Sequence, residues 1–540
     1  MKKSTLALSV AAALGALAFA GNALAIGELK NAVVDIPTTM RLNTDGIGHQ
    51  LVIPYFSVQA GNVTLFNITN TDKLNAKIVK VRFRAAANSD DIFDFQLLLS
   101  PEDVWTAAIS QDAATGVATL RTTDKTCTIP SSVSASTGAL FITGRVDPTP
   151  AKGNSVNETR EGYVEVINMA DIPPNAAALS LFTTVKHVNG VAPCSGTVLN
   201  AALFNDYANF AAATAAGLYQ LASPTGGLTG DWVILNQTQT AAWSGSATAL
   251  QVVNAALAPS VGTLAFWPQK NGTPLLASSP TELFERRATT DPLFVTGVVP
   301  IQNFDLPDLS TSYTSVDNAT AVGVVGNSAG PAVSRADNTT ALLAVKSISN
   351  QFATGSGISA VTDFLFSQPT RRYSVAVNYT ATATTGAGST LTTGTTAAAV
   401  FRGNGNANGV GSAYYTSANV VLAARQACLN SIGSPRILDR EENPATPGGF
   451  VISPGTFTTF ALCGEAAVAS VNGGGTVLGS ALNASVVRND ITFGTGFDLG
   501  WTTFDTSNGG NALPILGAAF SRVANGSVNY GFTFPHKVTR

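Results

Sequence analysis

The chain has 540 residues, 45% hydrophobic and 12% charged, with 50 Gly and 25 Pro. The charge is about half that of an ordinary soluble domain, the hydrophobic content is too high for a disordered chain, and a formal charge of −3 offers no basic field for nucleic acid or anionic lipid. Three His leave little material for imidazole catalysis or a histidine metal site.

Lys2 and Lys3 precede an apolar run from Leu6 to Ala20, and Ala23-Leu24-Ala25 fits the small-x-small rule of signal cleavage. The run is shorter than the ~18 residues that span a bilayer, so residues 1–25 are expected to be a secretory signal. Cleavage would leave 28 Lys and Arg against 33 Asp and Glu, a formal charge of −5. No Cys stands near the cleavage site for a lipid anchor, and no later apolar stretch reaches spanning length. The chain is therefore expected to be exported, without a membrane span.

Strand signals dominate the mature chain. Leu51–Val58 and Val63–Ile68 flank Gly61-Asn62. In Lys77–Arg84, Val79, Val81 and Phe83 alternate with Lys80, Arg82 and Arg84, the period-two pattern of a half-buried strand. Phe93, Phe95, Leu97 and Leu99 line one face of the next strand, which stops at Ser100-Pro101. Short strands with turns every eight to twelve residues indicate an antiparallel, Ig-like or jelly-roll-like sandwich. Ala139–Val146 and Glu161–Asn168 read as further strands. Residues 201–222 carry apolar positions at three-to-four spacing, a helix signal, and a second helix is expected over Ser246–Leu257. Polar residues and Pro307 over 301–340 mark a boundary. The reading is mainly β: two sandwich lobes, 26–300 with a helical insertion near 201–257 and 341–540, joined by a linker over 301–340. In the second lobe, Val361–Phe366, Tyr373–Tyr379, Ile491–Phe504 and Val528–Phe534 read as strands.

Cys127, Cys194, Cys428 and Cys463 make an even count on an oxidising route. The boundary favours pairing within halves, Cys127–Cys194 and Cys428–Cys463, and no CxxC spacing supports zinc. Gly326-Asn327-Ser328-Ala329-Gly330 matches the G-x-S-x-G nucleophile elbow, which would make Ser328 the nucleophile of an exported serine hydrolase. Pro331 denies the elbow its helix, and the one downstream His is His536, four residues from the end. Asp90, Asp91 and Asp94 at a strand-to-strand turn have the hard oxygens that hold calcium, but no EF-hand or RTX spacing, so a solvated turn is the simpler expectation. Asp439, Glu441 and Glu442 have the same standing. His187 is expected to be a strand-end residue after Leu181–Val185. No cofactor motif and no catalytic set is expected, with calcium the exception to test.

Several segments together resemble a family of secreted proteobacterial proteins usually labelled "cell surface protein". They are Lys80-Val81-Arg82-Phe83-Arg84, Ser100-Pro101-Glu102-Asp103-Val104-Trp105, Arg160-Glu161-Gly162-Tyr163-Val164-Glu165, Met169-Ala170-Asp171-Ile172-Pro173, Thr362-Asp363-Phe364, Pro369-Thr370-Arg371-Arg372-Tyr373, Asp439-Arg440-Glu441-Glu442 and Pro535-His536-Lys537. The low charge and abundance of Ala, Thr, Val and Gly also resemble surface-layer proteins. The resemblance implies a non-enzymatic protein exported to the surface of a Gram-negative cell. Self-association into an S-layer-like coat is the first expectation; an adhesin or binder of envelope polysaccharide is the alternative.

Overall fold

The computed structural model describes residues 28–30, 36–147, 155–199, 217, 219–266, 269, 307–309, 313, 335–355, 357, 359–379, 398–401, 414–423, 425–432, 435–443, 460–471, 477–480, 488–491 and 497–540. Among them, antiparallel sheets prevail and three short α-helices interrupt them, Leu181–Val185, Gly196–Leu199 and Arg335–Leu343. The protein is mainly β and sandwich-like.

Two seven-stranded sheets face each other in the first half. The first runs in the order Pro37–Leu42, Thr248–Asn254, Gln50–Ser57, Glu161–Ile172, Ala76–Ala85, Asp91–Leu99, Cys127–Ile129. The second runs Ala139–Leu140, Ala118–Arg121, Val104–Gln111, Asn62–Asn70, Asp231–Asn236, Ala241–Ser246, with Leu228–Thr229 also on Asn62–Asn70. Val79, Val81, Phe83, Phe95 and Leu97 are fully buried between them against Phe66, Trp105 and Ile109, and Phe93 is partly buried beside them. Aromatic rings meet edge to face through this layer, Phe66 with Phe83 at 5.8 Å and with Trp105 at 5.6 Å.

The second half builds a five-stranded sheet, Arg488–Ile491, Ala466–Val471, Ala360–Ser367, Ala518–Asn525, Val528–Pro535, in which the first pair is parallel. One face of it, with Leu365, Val468 and Phe520, joins the core of the first sandwich. Its other face, with Phe364, Phe366 and Ala519, packs with Ile348, Phe352 and Phe504 of a four-stranded sheet, Arg436–Asp439, Leu499–Asp505, Ser347–Ala353, Lys537–Thr539. Gly531 marks the contact between the halves: a Cβ there would stand 2.1 Å from the Ala242 carbonyl oxygen. The Trp243 indole N–H donates across the same contact to the Ser521 carbonyl at 2.9 Å.

Five expectations are corrected. Strand Ala76–Ala85 is buried on both faces, because Thr225, Gln269 and residues from beyond 300 cover its polar side. The region expected to be helical over 246–257 is strand Thr248–Asn254, and Asp231–Asn236 and Ala241–Ser246 are strands before it. Leu250 and Val252 point to one side and Ala249 to the core, so the true period is two, and strands on both sides satisfy its backbone. Residues 201–216 lie outside the described residues. Leu181–Val185 is a helix, capped by Ser180 Oγ accepting from the Thr183 amide at 3.1 Å. Of 139–146, Ala139–Leu140 alone is strand, and of 373–379, Val375–Asn378.

Candidate functional site

The polar face of the first sheet holds the protein's densest charge. Antiparallel register sets Arg82 opposite both Asp94 and Glu165, and Arg84 opposite Tyr163. Arg84 Nε lies 3.0 Å from Glu165 Oε1, and Lys80 Nζ lies 3.1 Å from Asp94 Oδ2. Arg82 pairs with Asp91, which also takes Arg145 at 2.8 Å. Leu309, Tyr313 and Tyr373 close over this face, and Asp308 stands 3.6 Å from Arg84. Further from the sheet, Arg371 pairs with Glu465 at 3.1 Å and Arg425 with Asp147 at 2.9 Å. Burial pushes the Glu165 and Glu465 carboxyls up, opposed chiefly by Arg84 and Arg371 respectively.

Asp90, Asp91 and Asp94 therefore do not share one coordination sphere with free oxygens. Asp91 and Asp94 serve buried cations, and Asp90 accepts from the Tyr379 hydroxyl at 2.6 Å. No group of three or more His, Cys, Asp or Glu among the described residues is arranged to hold a metal ion. Sequence reading missed the partners Glu165, Arg371, Arg425 and Glu465. The available signal was a Glu alternating with apolar residues in a strand as rich in Val and Ile as Glu161–Ile172.

Cys127 bonds Cys194 with Cα atoms 5.4 Å apart, and Cys428 bonds Cys463 from directly opposed strand positions. Ser328 and its glycines lie outside the described residues. His536 is pinned. Its Nε2 donates to the Leu365 carbonyl at 2.8 Å, and its Nδ1 accepts from the Asn350 side chain at 3.0 Å. Burial pushes its ring down to about 4, partly opposed by the Leu365 carbonyl. His187 Nδ1 meets Ser100 Oγ at 2.8 Å, beside Asp103.

Among the described residues, two surfaces are open to solvent. The outer face of the second sheet carries Leu65, Asn67, Thr106, Ala108, Val233 and Ser244, with Leu65 and Ser244 exposed and charge only at its border. A groove of about 630 Å³ opens between the two C-terminal sheets, lined by Phe352, Asp439, Arg440, Glu442, Phe532 and Phe534, among others. No protein family, no curated protein and no solved structure matches this chain. These two surfaces and the buried charge are what bear on function.

Proposed function

We propose that the protein is a non-enzymatic structural protein, exported to the cell surface, that packs against copies of itself. The observation that carries this reading is the inversion of charge. Many of the scarce charged side chains are buried, sixteen of them among the described residues, while the outer face of the second sheet presents mostly neutral residues. Two such faces can meet with little charge to desolvate or repel. Two disulfides fit an oxidising compartment, and no helix among the described residues is long and apolar enough to cross a membrane.

Electron microscopy of cell envelopes with and without the protein tests the proposal. The expected result is a surface layer that disappears on deletion and is not restored by a Leu65→Asp, Val233→Lys variant that is exported and folded. A protein recovered entirely in the medium, with unchanged envelopes, would contradict it. Binding of envelope polysaccharide is a second reading, favoured by the aromatic groove.

A further inference from the structure

What the groove could bind rests on the second reading, polysaccharide binding, and is independent of the self-packing reading. Asp439, Gly500 and Phe352 stand side by side across three strands of the four-stranded sheet. Facing them, Phe532 pairs with Ser521 and Phe534 with Ala519 in the five-stranded sheet. Gly500 is required to be bare, since a Cβ would lie 2.0 Å from the Leu438 carbonyl oxygen and 2.8 Å from the Phe352 ring. The space between, about 630 Å³, falls within the range of small-ligand sites.

The Phe532 and Phe534 rings are nearly parallel, 12° between planes with centroids 6.2 Å apart, and Phe532 is 45% exposed. Phe532 presents an exposed ring at the groove, and Phe534 beside it is partly buried against the core. The turn that follows strand Arg436–Asp439 supplies Asp439, Arg440 and Glu442 to the groove, and Arg440 pairs with Glu441 at 2.5 Å. The Asn443 side chain donates to Asp439 and holds that carboxyl below its ordinary range, so it stays ionised. Two lining carboxylates, Asp439 and Glu442, and a guanidinium already paired with Glu441 disfavour phosphate, sulfate and uronate. Apolar ring faces beneath strong hydrogen-bond acceptors match a ligand with C–H groups on its faces and hydroxyls around its edge.

We infer that this groove binds an uncharged glycan segment, its pyranose ring stacked on Phe532 and Phe534 and its hydroxyls donating to Glu442. Isothermal titration of the full chain with chitotriose, cellotriose and maltotriose, and with trigalacturonate as an anionic probe, tests it. Saturable binding of at least one neutral trisaccharide and none of trigalacturonate is expected. Phe532→Ala and Glu442→Gln should each weaken that binding about tenfold with an unchanged circular dichroism spectrum. Three results would each overturn the inference: no saturable uptake of any neutral probe by folded protein, a preference for trigalacturonate, or undiminished affinity in folded Phe532→Ala.

Discussion

Arg84 and Glu165 show why single residues matter in a chain with so few charges. Both are fully buried, and Arg84 does most to offset the burial that pushes the Glu165 carboxyl up. Arg84→Met should lower stability by about 3–5 kcal/mol, because it leaves a buried carboxyl without its closest partner. The double variant Arg84→Met, Glu165→Leu should recover much of that loss, as read from urea midpoints at pH 7. The sequence showed the alternation of Lys80, Arg82 and Arg84 but placed them in solvent. Alternation reports that two faces differ, not that either is wet, and covering residues come from far along the chain, Gln269 being 189 positions from Lys80 and Tyr373 289 from Arg84. His536 gives a pH test. The unfolded chain takes up its proton near the ordinary value of 6.5, whereas the folded ring waits until about 4. Its contribution is therefore complete above pH 6.5 and is lost as pH falls from there to 4. Melting temperatures of the native protein and of His536→Gln should differ most at pH 7 and converge toward pH 4.

At the scale of elements, period-two runs with clean alternation became strands, among them Ala76–Ala85, Asp91–Leu99, Glu161–Ile172 and Ala360–Ser367. Thr248–Asn254 was misread because Ala and Leu favour helices locally, while two flanking strands decide the outcome. The junction of the halves depends on close approach. Gly531→Ala drives a Cβ toward the Ala242 carbonyl oxygen and should cost about 1–3 kcal/mol through overpacking. Gly196→Ala, with nothing within 4 Å of its added Cβ, is the control and should change the melting temperature little. The disulfides close loops with sequence separations of 67 and 35. By chain entropy each contributes about 4 kcal/mol, so Cys127→Ser, Cys194→Ser should lower the urea midpoint clearly. Their pairing was legible because the Cys positions fall on either side of the boundary expected over 301–340.

Across the whole molecule the distribution of charge is the central feature. Polar cover for the first sheet comes in part from Asp308 and Tyr313, within the stretch expected to be a linker, and from Tyr373 beyond it. Composition showed that charge was scarce; it could not show that the charges would gather inside, which depends on contacts between distant segments. Neither the groove nor the neutral sheet face was legible, since each combines strands from well-separated parts of the chain. Association through neutral faces should be nearly indifferent to salt, because few surface charges are available to screen. Sedimentation velocity of the exported protein at 0.05 M and 1 M NaCl, over a wide concentration range, tests this most directly. Concentration-dependent assemblies of similar size are expected at both salts, reduced to monomer by Leu65→Asp, Val233→Lys. A single monomeric species at every concentration, or assembly that dissolves as salt rises, would contradict it.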